Sequence, residues 1–120
     1  MTLRARDDTG AATAELALGI PLLIALTVGL VWMLAVAAAQ VRVIDASREA
    51  ARAVARGDDV TAAEAVAVRI APEDAEVRIE VGASQVIVTT SARVRGPGGL
   101  LASLPGVTVT ADAVALVESS

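Results

Sequence analysis

Hydrophobic and polar positions divide the chain into two parts. From Leu16 to Val41 no residue is charged, an unbroken run of 26 positions. As a helix that run is roughly 39 Å long, and a bilayer core needs only about 20 apolar residues. The pattern therefore predicts a membrane-spanning helix with length to spare for tilt or a protruding turn. The alternative is the buried core helix of a soluble protein, which a chain of 120 residues could hardly surround. Pro21 lies inside the run; it removes one backbone donor and crowds the carbonyl of Ala17, which predicts a kink or local loosening over 17–21. Gly19, Gly29 and the many alanines reflect either close helix approach or alanine-rich composition.

After Val41 the pattern becomes amphipathic without losing its helical period. Arg42, Asp45, Arg48, Glu49, Arg52 and Arg56 interleave with Val43, Ile44, Ala46, Ala50, Ala51 and Val54, and the apolar members fall broadly on one stripe. Asp45 with Arg48, and Glu49 with Arg52, are opposite charges at i,i+3. One helix is predicted from near Ala11 to about Arg56, stopped at Gly57. Thr61 and Glu64 read as a capping box for a short helix over about 62–70, ended by Pro72.

Three alternating segments follow. Residues 75–81 and 85–95 form a hairpin about Gly82-Ala83-Ser84, and 107–118 is a third strand. Its residues Val107, Val109, Ala111, Ala113, Ala115 and Val117 share one face; Val114 and Leu116 lie on the other, which predicts cover on both sides at that end. Between the second and third strands, Gly96-Pro97-Gly98-Gly99 reads as a turn, Leu100, Leu101 and Leu104 as a short apolar plug, and Pro105-Gly106 as another turn. The part after Gly57 is marginal in size for independent folding. Laying the amphipathic half of the helix on the apolar face of the sheet resolves both surfaces. The fold class is α+β: a long N-terminal transmembrane and amphipathic helix packed on a small three-stranded antiparallel sheet, with one short extra helix.

Composition narrows the chemistry. The chain has no Cys and no His, which removes disulfides, thiol chemistry and the usual general base at neutral pH. A metal site would need carboxylates alone, and no cofactor is implied. The net charge is −4 and the only aromatic is one Trp, a poor match to nucleic-acid binding. The Ser and Thr residues after Gly57 have no His partner, and Glu73, Asp74, Glu76 and Glu80 read as solvated charge. Gly96-Pro97-Gly98-Gly99 lacks the Lys of a phosphate loop. No enzyme activity and no small-molecule substrate are indicated.

The informative constellation stands at the start of the apolar run. A short polar leader, residues 1–10, ends in Gly10; Ala11 follows; Glu15 is the fifth residue after Gly10, and Pro21 comes six residues later. This arrangement resembles the processing site of type IV prepilins. The string Gly10-Ala-Ala-Thr-Ala-Glu15-Leu-Ala-Leu with Pro21 is most similar to the TadE-like family, minor pilin-like proteins of Tad/Flp pilus machinery. The segment Leu104-Pro105-Gly106-Val107-Thr108-Val109 resembles actinobacterial members. The resemblance covers about 40 residues well and the rest loosely.

The resemblance implies a pilin-like layout: leader 1–10, transmembrane helix 11–41, amphipathic extension 42–56 and extracytoplasmic head 57–120. A prepilin peptidase would cut between Gly10 and Ala11. Glu15, one helical turn from the new amine, would meet a neighbouring subunit's N-terminus, since a lone carboxylate among apolar helices is costly unless paired. Taken alone, Glu15 reads first as an interfacial acid favoured by the helix N-terminus; the company of Gly10, Ala11 and Pro21 before a spanning run is what shifts the reading. The implied role is a minor pilin or pseudopilin, with the bilayer, the peptidase, other pilin subunits and assembly components as partners. The head would lie outside the cell membrane and the N-terminus in the cytoplasm. A count of Arg4 and Arg6 against Arg42, Arg48, Arg52 and Arg56 gives the opposite orientation. Two other readings stay open: an unprocessed single-pass accessory protein whose head binds a partner, and a secreted protein cut after Ala39, where Ala37-Ala38-Ala39 imitates a signal-peptidase site.

Overall fold

The computed structural model describes residues 2–97 and 106–117, with side chains from residue 10 onward. Five elements follow in order: α1 (Thr2–Ala55), α2 (Val60–Ile70), β1 (Glu76–Val81), β2 (Gln85–Val94) and β3 (Val107–Leu116). The chain divides into two units, Met1–Met33 and Leu34–Ser120.

The first unit is the N-terminal part of α1. The helix begins at Thr2, not near Ala11, so the leader is helical too. Leu3, Arg4, Ala5 and Arg6 are good helix formers, and a helix already running through Ala11–Leu18 extends backward through the weaker Asp7, Asp8, Thr9 and Gly10 without a new nucleation cost. Pro21 does not interrupt it. Thr27 donates its hydroxyl to the Leu23 carbonyl at 2.8 Å, which satisfies the one hydroxyl in the apolar run. Leu16, Leu18, Ile20, Leu22, Leu23, Ile24, Leu26 and Leu30 are all exposed.

The second unit is a two-layer α+β head. Its sheet has the order β1-β2-β3, antiparallel throughout. The Val117 N–H donates to the Ser84 carbonyl at 3.0 Å, directly across the ladder. That bond sets the phase: odd residues of β3 exchange bonds with β2, and even ones turn their peptide groups to the open edge. The same odd residues point inward. Val86, Val88, Thr90 and Ala92 of β2 and Val109 and Ala111 of β3 are buried against α1.

The helices meet the sheet with small residues. Ala46, Ala50, Ala51, Ala53 and Val54 of α1, with Ala63 and Ala67 of α2, form one cluster with Val86 and Val88. Ala39 and Val43 form a second with Ala92, Val109 and Ala111. Alanines on the helices and valines on the sheet allow close backbone approach, which is how a core without Phe or Tyr excludes water.

The turns have identifiable causes. Gly57 sits at φ 102°, its N–H bonded to the Val54 carbonyl and that of Asp58 to the Ala53 carbonyl. This is a Schellman motif with Gly at the left-handed position, and Arg56 pairs with Asp58 at 3.0 Å across it. Asp74, at φ 61°, makes the turn between α2 and β1; a short polar side chain is among the few that tolerate this conformation.

Several expectations are corrected. The N-cap of α2 is Asp59, and it makes no side-chain capping bond; Thr61 is already helical. The Ala63 N–H reaches the Asp59 carbonyl at 2.9 Å, so the helix starts as soon as the Schellman turn releases the chain. The i,i+3 charges of α1 do not pair: the ion pair found among the described residues is Arg56–Asp58. Val114 and Leu116 are not covered; they are 60% and 76% exposed. Among the described residues, the buried side chains of both helices pack on the inner face of the sheet, and these two on the outer face stay open. The turn at Gly98-Gly99, the Leu100, Leu101 and Leu104 plug and Pro105 lie outside the described residues.

Candidate functional site

Gly10, Ala11, Glu15 and Pro21 all lie on α1, exposed, in the first unit. Ala11 and Glu15 stand four residues apart on one face of the helix. The Gly10–Ala11 bond lies inside the helix rather than at its edge. Gly10 lowers local helix stability by about 1 kcal/mol relative to Ala. A Cβ there would meet nothing within 4 Å, so packing does not require the glycine. The four sequence-marked residues thus lie on one helix within the first unit.

The apolar run behind them is one continuous helix. Gly10–Ala55 contains the single stretch, among the described residues, long and apolar enough to cross a membrane, with a mean hydropathy of 2.5 over its best window and 6% of that window buried. Almost nothing in the protein covers these side chains, which is what lipid would do. The run does not reach the head as bare helix on every side. Val36 packs against the core cluster of Ala39 and Val43, so one face of the last apolar turns belongs to the head. Trp32 stands just before this point. Its Nε1 is shielded from solvent and has no hydrogen-bond partner among the described residues, and the lipid interface is where an indole N–H normally finds one.

Three polar features of the head escaped sequence reasoning. The Ser47 and Thr90 hydroxyls lie 2.7 Å apart, and Ser47 Oγ is also 3.0 Å from the Ala111 carbonyl; both residues are fully buried. Each hydroxyl has one proton. Ser47 donating to Ala111 and Thr90 donating to Ser47 satisfies the whole chain. Gln40 Nε2 donates to the Thr110 carbonyl at 3.3 Å, and the ladder phase places that carbonyl on the open edge of β3. Ser47 falls on the apolar stripe between Ala46 and Ala50, which was the available signal. Gln40 reads only as the polar end of the apolar run.

The head also has a shallow groove of about 640 Å³ whose lining includes Glu64, Arg78, Thr89, Ser91, Thr108 and Thr110. Its hydroxyls face carboxylate and guanidinium groups, with no imidazole or thiol in the chain. Among the described residues no cluster of acids is arranged to hold a metal ion.

Residues 10–52 match the family described as TadE-like protein. No curated protein and no solved structure matches the chain. The matched stretch holds Gly10, Ala11, Glu15, Pro21 and the whole apolar run, and continues to Arg52 in the head. Over that stretch the chain is similar to TadE-like proteins, a family tied to the Tad pilus, and it lies on a helix long and apolar enough to cross a membrane.

Proposed function

We propose that the protein is a minor pilin or pseudopilin-like structural subunit of a Tad-type pilus, not an enzyme but the substrate of one. The observation that carries this reading is the order Gly10–Ala11…Glu15…Pro21 at the head of a membrane-length helix, inside the TadE-like match. A prepilin peptidase cuts after Gly10 and leaves Ala11 as the N-terminus. The new ammonium would sit at the positive end of the helix dipole, an unfavourable place for a cation. Glu15, one turn away, offsets it within the chain or in a neighbour. The N-terminus stays cytoplasmic, the helix crosses the bilayer, and the head stands outside.

The test is the intact mass of the membrane-extracted protein, with and without a co-expressed prepilin peptidase. Loss of residues 1–10, blocked by Gly10→Leu, supports the reading; cleavage that ignores Gly10→Leu overturns it. An uncut chain would favour the unprocessed accessory protein. A start at Gln40 would favour the secreted one. The packing speaks against that last outcome, because a cut after Ala39 removes Val36 and Ala39 from the core they share with Val43, Ala92 and Val109.

A further inference from the structure

Three of the chain's ten basic residues meet at one place in the head. A cleft of about 470 Å³ is lined by Ala35, Ala38 and Arg42 of α1, by Arg93 and Arg95 at the end of β2, and by Glu73 and Asp74 between α2 and β1. All of these residues belong to the second unit. The α1 side is alanine, so small side chains leave it open, while the rest of the lining is charged. The clustering runs against composition. The chain as a whole carries −4, whereas this lining carries three positive charges against two negative ones.

The arginines are left unpaired. All three are exposed, and among the described residues none forms an ion pair with Glu73, Asp74 or another acid; the pair found is Arg56–Asp58. Packing holds Arg93 instead. A Cβ on Gly106 would lie 3.0 Å from its Nε and 3.1 Å from its Cγ, so its stem rests on the bare backbone of Gly106. A guanidinium that is propped, exposed and unpaired offers its fork of donors to an anion, and phosphate oxygens fit that fork.

Position decides which phosphate. Ala92 and Val94 of β2 pack with Val36 and Ala39 of α1, so the cleft adjoins the last two turns of the uncharged run, and Arg42 is the first charge after Glu15. Measured from Leu16, that run exceeds a bilayer core by about six residues, or about 9 Å. Residues 36–41 therefore fall in the headgroup layer, where the abundant phosphate is a lipid's. We propose that the cleft binds one anionic phospholipid. Arg42, Arg93 and Arg95 take its phosphodiester, its first acyl carbons lie along Ala35 and Ala38, and Glu73 and Asp74 accept hydrogen bonds from headgroup hydroxyls. A glycerol headgroup supplies those hydroxyls, and its single negative charge meets the single net positive charge of the cleft. Choline has no N–H or O–H to donate, and a neutral ethanolamine lipid leaves that net charge unmatched. The proposal rests on the pilin-like reading only for the membrane-crossing helix; neither cleavage at Gly10 nor the side on which the head stands enters it.

The test is native mass spectrometry of the full-length protein released from detergent micelles that contain equal amounts of phosphatidylglycerol and phosphatidylethanolamine. The first lipid retained should be phosphatidylglycerol, preferred by about tenfold or more. Arg42→Gln/Arg93→Gln/Arg95→Gln should remove the preference, since each arginine near the lipid surface contributes about fivefold. Arg48→Gln/Arg52→Gln/Arg78→Gln changes the net charge equally and should keep it. Ala38→Leu fills the cleft without altering charge; it should weaken retention about fivefold, and it decides alone if the arginine variant does not fold, as read from protection of the Ala92 and Val94 amides. Equal retention of phosphatidylethanolamine, a preference that survives either cleft variant, or the same loss in the control variant would overturn the proposal. Displacement of the lipid by an equal concentration of glycerol 3-phosphate would also overturn it and assign the arginines to a free phosphate ester. A chain that stays soluble without detergent would refute the membrane-spanning reading itself, whereas a chain that inserts into vesicles without lipid preference refutes only this proposal.

Discussion

The Ser47–Thr90 contact gives an asymmetric pair of mutants. Ser47→Ala removes the acceptor of the Thr90 hydroxyl, which is fully buried and has no other partner among the described residues. The Ala111 carbonyl keeps its ladder bond to β2. One orphaned buried hydroxyl costs about 1–3 kcal/mol. Thr90→Val is the gentler change: it is nearly isosteric, and Ser47 still donates to Ala111, so the loss is one net hydrogen bond, about 0.5–1.5 kcal/mol, offset by a buried methyl of about 0.8 kcal/mol. The double variant leaves no orphan. Adding Thr90→Val to Ser47→Ala should therefore restore stability by about 1 kcal/mol, although the same change is neutral or mildly harmful in the parent. The readout is hydrogen exchange of β2 and β3 amides in the full-length protein in detergent, where 1.4 kcal/mol of opening free energy is a tenfold change in rate. Additive costs, within about 0.3–0.5 kcal/mol, would refute the reasoning and mean that the two hydroxyls do not depend on each other.

Gly57→Ala should cost about 1–2 kcal/mol, because a Cβ there meets nothing within 4 Å and the whole penalty is the left-handed φ of 102°; exchange of the Asp58 amide reports it. Gly106→Ala fails for a different reason: the added carbon would lie 2.8 Å from the Val94 carbonyl, so β3 must shift, at about 1–3 kcal/mol, with faster exchange concentrated at Val107 and Val109. Trp32 is the only tryptophan, so its emission reports one depth. In vesicles it should be quenched more by lipid brominated near the ester groups than by lipid brominated at mid-chain; the reverse order would remove it from the interface.

What the sequence made legible is what periodicity encodes. The apolar run, the amphipathic continuation, the Gly57 stop and all three strands follow from spacing alone, because each buries one face against one partner. Boundaries failed where two signals competed. Thr61 and Glu64 matched a capping box, yet the chain leaving Gly57 and Asp58 was already turned for a helix at Val60. Asp45 and Arg48 had the right spacing to pair, but exposed side chains gain little from doing so. Val114 and Leu116 looked buried because apolar residues usually are; whether a second layer covers a sheet is a property of the whole topology. At the candidate site, Gly10, Ala11, Glu15 and Pro21 were readable only as a motif. That the peptide bond after Gly10 lies within a helix came from the structure.

The head's dependence on α1 leads to a last prediction. Of its buried residues, Ala39, Val43, Ala46, Ser47, Ala50, Ala51, Ala53, Val54 and Ala55 all come from α1. Removing them strips one wall from both clusters and exposes Val86, Val88, Val109 and the Thr90 hydroxyl to water. What remains is a three-stranded sheet with one short helix and no disulfide, below the size at which such a layer stands alone. A fragment of residues 34–120 should therefore fold, with protected β2 amides, whereas a fragment of 57–120 should not, and should exchange at the rate of an unfolded chain. Protection in the shorter fragment would mean that the sheet and α2 form a core of their own. If instead the longer fragment alone is protected, the helix that carries the apolar run is also the helix that folds the head. Cutting anywhere between Val43 and Val54 would then cost the head its structure, because residues on both sides of every such cut line its core.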